Sequence, residues 1–401
     1  MISFDNCSGC GSCVFVCPTK AIMMGEDARG FARAIIDSRK CINCSQCVQV
    51  CPQINSHKKQ AADVVYAVWT SNAKYCSSGG VFKTLADWGI EHGYVIVGAS
   101  FDENMQLRHV CIDDKESVLP LCRSKYLQSS SIEVFPKIED ILKSGGKVMF
   151  FGTPCQNSAV KNTFIHYFGN SLFLVDFLCH GVSSQKTFDT FLRWEEKKTG
   201  GRIVSFDFRA KSIKVPHSFM YRFVDQNGNV RKKKGDSLDF PYYTAYLSYN
   251  IFREECYRCP YATPERCSNL TMADFWGIEN YSKALSVSSG TSMILINDDD
   301  GRNIFTKAIL SVDSVIERYP IRVAYQNNAA LTSCAKDNAR LRDHIFLELL
   351  ENGAEAVTKK YFTDKSFYKR KIFSRMPLFV QNGYSRCRSF GKRAAAITRK
   401  G

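Results

Sequence analysis

Eight cysteines near the amino terminus form two runs with the same spacing. The first begins at Cys7 and reads CSGCGSCVFVCP, and the second begins at Cys41, 34 residues later, and reads CINCSQCVQVCP. Three thiolates two residues apart can wrap three corners of an Fe4S4 cube, while the fourth lies on a following helical turn and reaches the neighbouring cube. The spacing therefore predicts two 4Fe-4S clusters. The predicted ligands are Cys7, Cys10, Cys13 and Cys51 for cluster I, and Cys41, Cys44, Cys47 and Cys17 for cluster II.

Zinc is the metal that competes for such cysteines. Structural zinc sites pair two C-x2-C units and need neither the third cysteine of each run nor the proline that follows the fourth. The runs therefore favour iron–sulfur clusters. Between them, residues 21–24 and 32–37 read as short strands, so residues 1–60 are predicted to form a ferredoxin-type domain with two 4Fe-4S clusters.

The roles of the 18 cysteines depend on the cellular compartment. The opening residues MISFDNCSGC lack the basic-then-apolar layout of a signal peptide, and the apolar runs are too short to span a bilayer. We therefore expect a cytoplasmic protein. In a reducing cytosol clustered cysteines are metal ligands more often than disulfides.

Beyond the cysteine runs, strand-like and helix-like segments alternate, which is typical of an α/β or α+β arrangement. The patterns predict strands over 64–69, 94–101, 147–151 and 171–178, and helices over 81–92, 132–144 and 187–198. The expected fold class is α+β, with the ferredoxin-like domain, an α/β body and a basic, mostly helical extension. The expected boundaries divide the body into 61–145 and 146–335, followed by the tail at 336–401.

Two groups of residues in the body could bind a cofactor. Ser77, Ser78, Gly79 and Gly80 precede the predicted helix at 81–92, where free N–H groups and the helix dipole could hold a pyrophosphate. A serine-capped helix start explains the same pattern. The second group is Cys155, Cys179, Cys256 and Cys259. The first two follow predicted strands and the last two form a C-x2-C pair, so they could close a third cube, a zinc site, or no site at all.

These segments together resemble the deazaflavin (coenzyme F-420) hydrogenase/dehydrogenase beta-subunit family, in its bacterial form associated with polysaccharide biosynthesis. The resemblance runs from Cys7 to about residue 305. It rests on the cysteine runs and on Ser77-Ser-Gly-Gly80, Ser124-Lys-Tyr-Leu-Gln-Ser129, Gly152-Thr-Pro-Cys-Gln156, Val175-Asp-Phe-Leu-Cys-His-Gly181, Cys256-x-x-Cys259-Pro, Ala273-Asp-Phe-Trp-Gly277 and Gly290-Thr-Ser.

The resemblance implies cofactors and residue roles. Family members bind FAD beside a 4Fe-4S cluster in the body, so the body is expected to bind flavin. Ser77, Ser78, Gly79 and Gly80 would hold the FAD phosphates, and Ser124, Lys125, Tyr126 and Gln128 would lie near the flavin. Cys155, Cys179, Cys256 and Cys259 would ligate the third cluster (cluster III). Cys267 is treated as a spare thiol, and Cys334 as an ordinary residue.

The expected activity is that of an iron–sulfur flavoprotein oxidoreductase. It would pass electrons between the clusters and FAD to reduce or oxidise a small organic substrate or a deazaflavin-like coenzyme, with a ferredoxin-like protein as donor or acceptor. The alternative is a non-catalytic electron-transfer subunit of a larger complex. Residues 208–217 depart from the aromatic-rich stretch expected of the family, which leaves the substrate-facing surface open.

The basic charge is concentrated at the carboxyl terminus. Residues 356–401 hold 13 Lys/Arg and one acid, which accounts for 12 of the formal net charge of +15. Such a tail could make a peripheral contact with an anionic membrane or an acidic partner, or it could be a solvated extension. Without a recognised nucleic-acid motif, no nucleic-acid partner is expected.

Overall fold

The computed structural model describes residues 6–56, 61–211 and 217–363. It has the α+β class expected from the sequence. The amino-terminal part is a small domain that holds both cysteine runs, two short helices and one hairpin. Its elements are α1 (Ser12–Val16), β1 (Ile22–Glu26), β2 (Ala32–Ile36) and α2 (Gln46–Gln49), with β1 and β2 antiparallel.

The two cysteine runs also repeat in backbone geometry. Gly11 precedes α1 in the left-handed conformation (φ 85°), and Ser45, 34 positions later, precedes α2 in the same conformation (φ 61°). A left-handed residue reverses the chain sharply after the second cysteine of each run. Each run can therefore wrap around a cluster before its helix begins.

The body is built on an eight-stranded sheet. Its strands are β3 (Val64–Thr70), β4 (Tyr94–Phe101), β5 (Leu107–Ile112), β6 (Lys147–Gly152), β7 (Leu172–Phe177), β11 (Leu270–Asp274), β12 (Ser292–Ile296) and β13 (Ser314–Pro320). They lie in the order β13, β3, β12, β11, β7, β6, β4, β5. Strands β4, β6, β7 and β11 are mutually parallel, and the other pairings are antiparallel.

Helices cover both faces of this sheet, which is why its central strands are apolar on both sides. Met149 and Phe151 of β6 pack with α3 (Val81–Glu91) and α8 (Asp299–Leu310). The alternate residues Val148 and Phe150 pack with α4 (Val134–Lys143) and α5 (Pro154–Thr163). Phe15 of the amino-terminal domain joins this second layer through contacts with Phe135 and Phe164.

A second, three-stranded antiparallel sheet packs beside the first. It contains β8 (Gly201–Asp207), β9 (Phe219–Asp225) and β10 (Val230–Gly235), with β9 in the middle. Its aromatic side chains share a core with α6 (Gln185–Thr199), α7 (Pro241–Leu247) and α10 (Ala339–Tyr361). A short helix, α9 (Arg322–Tyr325), packs under β3 and β12.

The large sheet and helix α10 can be compared with the domain boundaries that the sequence predicts. The large sheet takes strands from both 61–145 and 146–335, and the boundaries themselves remain predictions. Helix α10 covers the start of the tail and breaks at Gly353 (φ 76°). Residues 364–401, which carry most of the tail's charge, lie outside the described residues. Within the described ranges, no helix is both long and apolar enough to cross a membrane.

The topology gathers several loops at one margin of the sheet. Parallel strands end on the same side, so the residues after β6, β7 and β11 meet there. Strand β12 begins at that margin, where Ser292 pairs with both Asp274 and Val68. The segment after β3 and the first turn of α3 lie at the same place. We call this margin the carboxyl edge.

Candidate redox site

The structure brings the predicted ligands of cluster I together. Cys7, Cys10 and Cys13 are buried. Burial raises the pKa of the Cys13 thiol, and the neighbouring thiols Cys10, Cys7 and Cys51 raise it further. The fourth cysteine of the second run thus joins the first three of the first run, as the crossed pattern predicts.

The predicted ligands of cluster II lie along one recess of about 1170 Å³. Cys17, Cys41, Cys44 and Cys47 all line it. The Ala21 N–H donates to the Cys17 sulfur at 3.2 Å, a contact that favours a thiolate. Cys44 is exposed, so one corner of this site reaches the surface of the protein.

A third group of cysteines lines a cavity of about 290 Å³ at the carboxyl edge. Cys155 lies in the first turn of α5, Cys179 follows β7, and Cys256 and Cys259 flank the end of a short 3-10 turn. All four line the cavity. The loop at Cys155 is fixed by a capping box, in which the Thr153 N–H donates to Gln156 Oε1 at 3.1 Å.

The electrostatics of this cavity suit a polynuclear metal centre. Burial raises the pKa of Cys155, Cys256 and Cys259 and raises that of Cys179 to about 12, and proximity of the thiols adds to the effect. Four thiolates there need a compensating positive charge, which iron ions would supply. In the described part of the chain, no three His, Cys, Asp or Glu side chains lie close enough to hold a single metal ion. A four-iron cube spaces its thiolates more widely, one at each corner.

A fifth thiol, which the sequence reasoning missed, also lines the cavity. It is Cys334, and its Sγ lies 3.4 Å from the carbonyl oxygen of Cys259. No spacing motif joins these residues, which are 75 positions apart, so the sequence carries no signal for the contact. Cys267 is fully buried instead, with its Sγ 3.7 Å from the Pro154 carbonyl.

Arg253 joins the cluster I region to this cavity. Its guanidinium is almost fully buried and donates to the carbonyls of Cys7 (2.7 Å) and Ala32 (2.9 Å) in the amino-terminal domain. The same group donates to Gln128 Oε1 at 2.7 Å, and both Arg253 and Gln128 line the cavity. The side chain therefore fixes the position of one cysteine group relative to the other.

Electrostatic interactions between thiols give the three groups an order. Cys47 of cluster II raises the pKa of Cys13 of cluster I, and Cys10 of cluster I raises the pKa of Cys155 in the cavity, so each pair is close enough to interact. Cluster I is therefore the middle site. The cluster II site lies toward the surface and the cavity lies at the carboxyl edge.

The residues expected to hold FAD phosphates lie at the carboxyl edge, before α3. Ser77 Oγ accepts from the Ser124 N–H at 2.8 Å, which joins the two predicted flavin segments. Ser78 Oγ donates to the Thr291 carbonyl at 2.7 Å. The Gly79 N–H donates to Ser292 Oγ at 3.0 Å.

Protein packing accounts for both glycines of this segment. A Cβ on Gly79 would lie 2.1 Å from the Val68 carbonyl oxygen, and one on Gly80 would lie 2.4 Å from the Ala73 nitrogen. Gly80 also adopts φ 90° as the residue that caps α3. The glycines thus allow α3 to begin directly against β3, which places the first turn of the helix at the carboxyl edge.

The remaining predicted flavin residues differ in their surroundings. Lys125 Nζ donates to the carbonyls of Leu121 (3.1 Å) and Cys122 (3.0 Å), and burial lowers its pKa to about 8. Tyr126 is enclosed by aromatic rings, with Tyr246 stacked at 4.8 Å. Gln128 donates to the Ser8 carbonyl at 2.8 Å and so belongs with Arg253.

A charged and aromatic group that the sequence reasoning did not single out adjoins Tyr126. Arg209 pairs with Asp274 at 2.7 Å, its guanidinium lies 5.5 Å from the Trp276 ring centroid, and it reaches the Tyr126 hydroxyl at 3.4 Å. His217 stacks on Trp276, and burial lowers its pKa to about 4. The sequence signal was the segment from residue 273 to 277, which carried the resemblance without an assigned role.

Two parts of the chain match known protein families. The family model for the carboxyl terminus of the coenzyme F420 hydrogenase/dehydrogenase beta subunit matches residues 145–319, and that for the 4Fe-4S dicluster domain matches residues 6–54. Residues 145–319 thus carry the carboxyl-terminal domain of the coenzyme F420 hydrogenase/dehydrogenase beta subunit. The match to this beta-subunit domain contains all four predicted cluster III cysteines. The dicluster match contains both cysteine runs, so the predicted 4Fe-4S dicluster domain is confirmed.

Solved structures are also similar to this chain. A chain of the F420-reducing [NiFe] hydrogenase complex from Methanosarcina barkeri is 16% identical in sequence, with a TM-score of 0.44. The similarity covers 75% of this chain and 91% of that chain. No curated protein matches the sequence.

Proposed function

We propose that the protein is an iron–sulfur flavoprotein oxidoreductase that carries electrons between its surface and a substrate at the carboxyl edge. The order of the three cysteine groups is the observation that carries this proposal. The cluster II site has an exposed ligand, the cluster I site lies between the other two, and the cavity of Cys155 and Cys179 lies at the sheet margin. Three redox centres in that order form one electron path.

The exposed end of the path suits a protein partner. Cys44 is exposed, and Ile42 and Ile35 beside the recess expose 62% and 52% of their surface. An apolar rim around a redox centre favours brief docking of another electron carrier. A ferredoxin-like donor or acceptor fits this end, and the cytoplasm is the compartment in which both partners would stay reduced.

The inner end of the path suits FAD. The joined Ser77 and Ser124 segments continue into the group formed by Arg209, Tyr126 and Trp276, because Tyr126 follows Ser124 by two residues, and this group offers a fixed positive charge and aromatic surfaces. Lys211 adds a further cation, because its Nζ donates to the Ser78 carbonyl at 2.7 Å. When bound, FAD exchanges two electrons with an organic substrate and single electrons with a cluster.

Each of these side chains has a definable task. Ser77 and the first-turn N–H groups of α3 would bind the FAD phosphates, and Ser78, whose hydroxyl donates to the Thr291 carbonyl, would hold the segment in place. Asp274 holds the Arg209 guanidinium in place at 2.7 Å, so that a positive charge stays beside the flavin. Lys125, with a pKa near 8, can hold or release a proton close to neutral pH. The substrate would be a small organic molecule or a deazaflavin-like coenzyme.

The second candidate is a non-catalytic electron-transfer subunit. The exposed apolar rim at Ile42 favours it, since the same surface could dock permanently on a catalytic chain. The two functions differ in one measurable respect. Only the enzyme turns over a small-molecule acceptor without another chain once it has been reduced.

The experiment uses the full chain purified without oxygen. FAD content is measured first, and flavin absorbance is then followed after mixing with a reduced ferredoxin-type protein. We expect about one FAD per chain and bleaching of the flavin through the clusters. Arg209→Met should lower bound FAD at least tenfold, whereas Arg222→Met, an exposed arginine on β9, should not change it. Wild-type protein without flavin would refute the proposal.

A further inference from the structure

The cavity proposed for cluster III has one more thiol than a cube needs. Four-iron cubes take four thiolates, and Cys334 lines the same cavity as the four predicted ligands. It is half-buried and lies at hydrogen-bond distance from the backbone of one ligand, Cys259. Cys267, the other thiol nearby, does not line this cavity.

The fold holds Cys334 beside the C-x2-C loop from two sides. Before it, Leu331 is fully buried under the large sheet. After it, Arg342 of α10 packs on Tyr257, the residue that follows Cys256, with the guanidinium 4.8 Å from the ring centroid. These two anchors place the intervening segment against the Cys256–Cys259 loop.

Between the anchors, the chain has room to adjust. Residues 333–338 form neither helix nor strand, so a small rotation of this segment breaks no ladder of backbone hydrogen bonds. Ser333, Ala335 and Lys336 line the cavity with Cys334, so the segment closes one side of it. The sulfur of Cys334 can therefore move toward the cavity without unfolding an element.

We propose that Cys334 is an exchangeable ligand of cluster III that takes the corner of the cube held by Cys259. This inference rests on the proposed third cluster. In the exchange, the Cys334 sulfur binds the iron and its proton passes to solvent, while the Cys259 sulfur leaves and takes up one proton. No electron is gained or lost. The site thus keeps four thiolates when Cys259 is displaced.

The test counts iron and acid-labile sulfide in anaerobically purified full-length variants. Wild type should hold about twelve irons, four for each cluster. Cys259→Ala should also hold about twelve, and Cys259→Ala/Cys334→Ala should fall to about eight. The matched control Cys259→Ala/Cys267→Ala removes a thiol outside the cavity and should keep about twelve. Cys259→Val, with and without Cys334→Ala, repeats the comparison with a side chain that cannot bind iron and is closer to native size.

The possible outcomes distinguish failure of the Cys334 exchange from failure of the proposed third cluster. About eight irons in Cys259→Ala and Cys259→Val, with twelve in wild type, would overturn the exchange and leave cluster III standing. About twelve irons in the Cys259/Cys334 double variants would also overturn it, because another group would then be the replacement. About eight irons in wild type would overturn both the exchange and the third cluster. Electron paramagnetic resonance of the reduced proteins, which differs between native and exchanged ligand sets, gives a readout independent of activity.

Discussion

The Arg253 side chain decides how the amino-terminal domain sits on the body. It is one of the largest side chains in the described protein to be almost wholly buried, and its donors meet carbonyls of Cys7 and Ala32 as well as Gln128. Glu255 lies 3.8 Å away and is shared with Arg33 at 2.8 Å. A buried guanidinium is tolerated only when its donors are satisfied, so the position is highly constrained.

Replacing Arg253 by Met should therefore destabilise the protein. The variant keeps most of the volume but leaves two backbone carbonyls and Gln128 without their donor, which we expect to cost about 3–5 kcal/mol of unfolding free energy. Arg258→Met is the matched control, because that arginine is exposed and should change stability by less than about 0.5 kcal/mol. Denaturant midpoints of the full chain compare them. Equal midpoints would contradict the bridging role.

We expect His109 to make the folded protein less stable at acidic pH. The ring is buried on β5, stacks on Phe150 and contacts the Phe151 carbonyl at 3.1 Å through Nε2. Burial lowers its pKa from 6.5 to about 4. The unfolded state therefore binds the proton more tightly, so the stability that neutral His109 contributes is present above about pH 6.5 and is lost as pH falls toward 4.

His109→Gln should remove part of that acid sensitivity. Glutamine can keep a donor on the Phe151 carbonyl and does not titrate. Between pH 7.5 and pH 5, the wild type should lose about 2 kcal/mol more unfolding free energy than the variant, because 1.5 pH units at about 1.4 kcal/mol each separate pH 5 from the unfolded pKa. Parallel denaturant titrations at the two pH values measure this difference. Equal losses in both proteins would show that His109 is not the responsible group.

At the scale of elements, the start of α3 depends on close backbone packing. Gly79→Ala would place a Cβ 2.1 Å from the Val68 oxygen and 2.6 Å from the Ser292 nitrogen, and backbone atoms cannot rotate away. We expect a loss of about 3 kcal/mol or more in unfolding free energy. In Gly93→Ala the new Cβ meets no atom within 4 Å, so only the left-handed backbone (φ 78°) is strained, at about 1 kcal/mol. Thermal unfolding of both variants would test this, and similar shifts would contradict it.

The sequence predicted helices and strands correctly where their apolar residues follow a regular local pattern. The strands β3, β4, β6 and β7 and the helices α3, α4 and α6 match the predicted segments to within a few residues. Strand β13 was not predicted, because its sequence SVIERYP mixes charge and apolar residues as an edge strand does. Its pairing with β3, about 250 positions earlier, has no local signal.

In the candidate site, too, local sequence patterns predicted some of the residues that come together and missed others. Repeated spacing was enough to group the cysteines of clusters I and II, since each run supplies its own turn geometry. Parallel strand ends were enough to bring Cys155 and Cys179 together. Arg253, Arg209 and Cys334 could not be found that way, because their roles come from contacts between distant segments and not from any pattern along the chain.

At the scale of the whole molecule, the proposed electron path runs from the surface to the carboxyl edge. The exposed Cys44 marks its outer end, the buried cluster I cysteines its middle, and the cavity at Cys155 its inner end. The path requires a third cluster in that cavity. Without it, the amino-terminal domain would have no electron route to a flavin in the body.

Iron analysis of Cys155→Ala beside the wild type tests that requirement most directly. Cys155 lies on the first turn of α5, whereas the spare thiol of Cys334 lies against Cys259 and takes only that corner in the proposed exchange, so the loss of Cys155 should remove one cluster. After anaerobic purification, the wild type should hold about twelve irons per chain and the variant about eight, with the signals of the two amino-terminal clusters unchanged. The same iron count in both proteins would contradict the account.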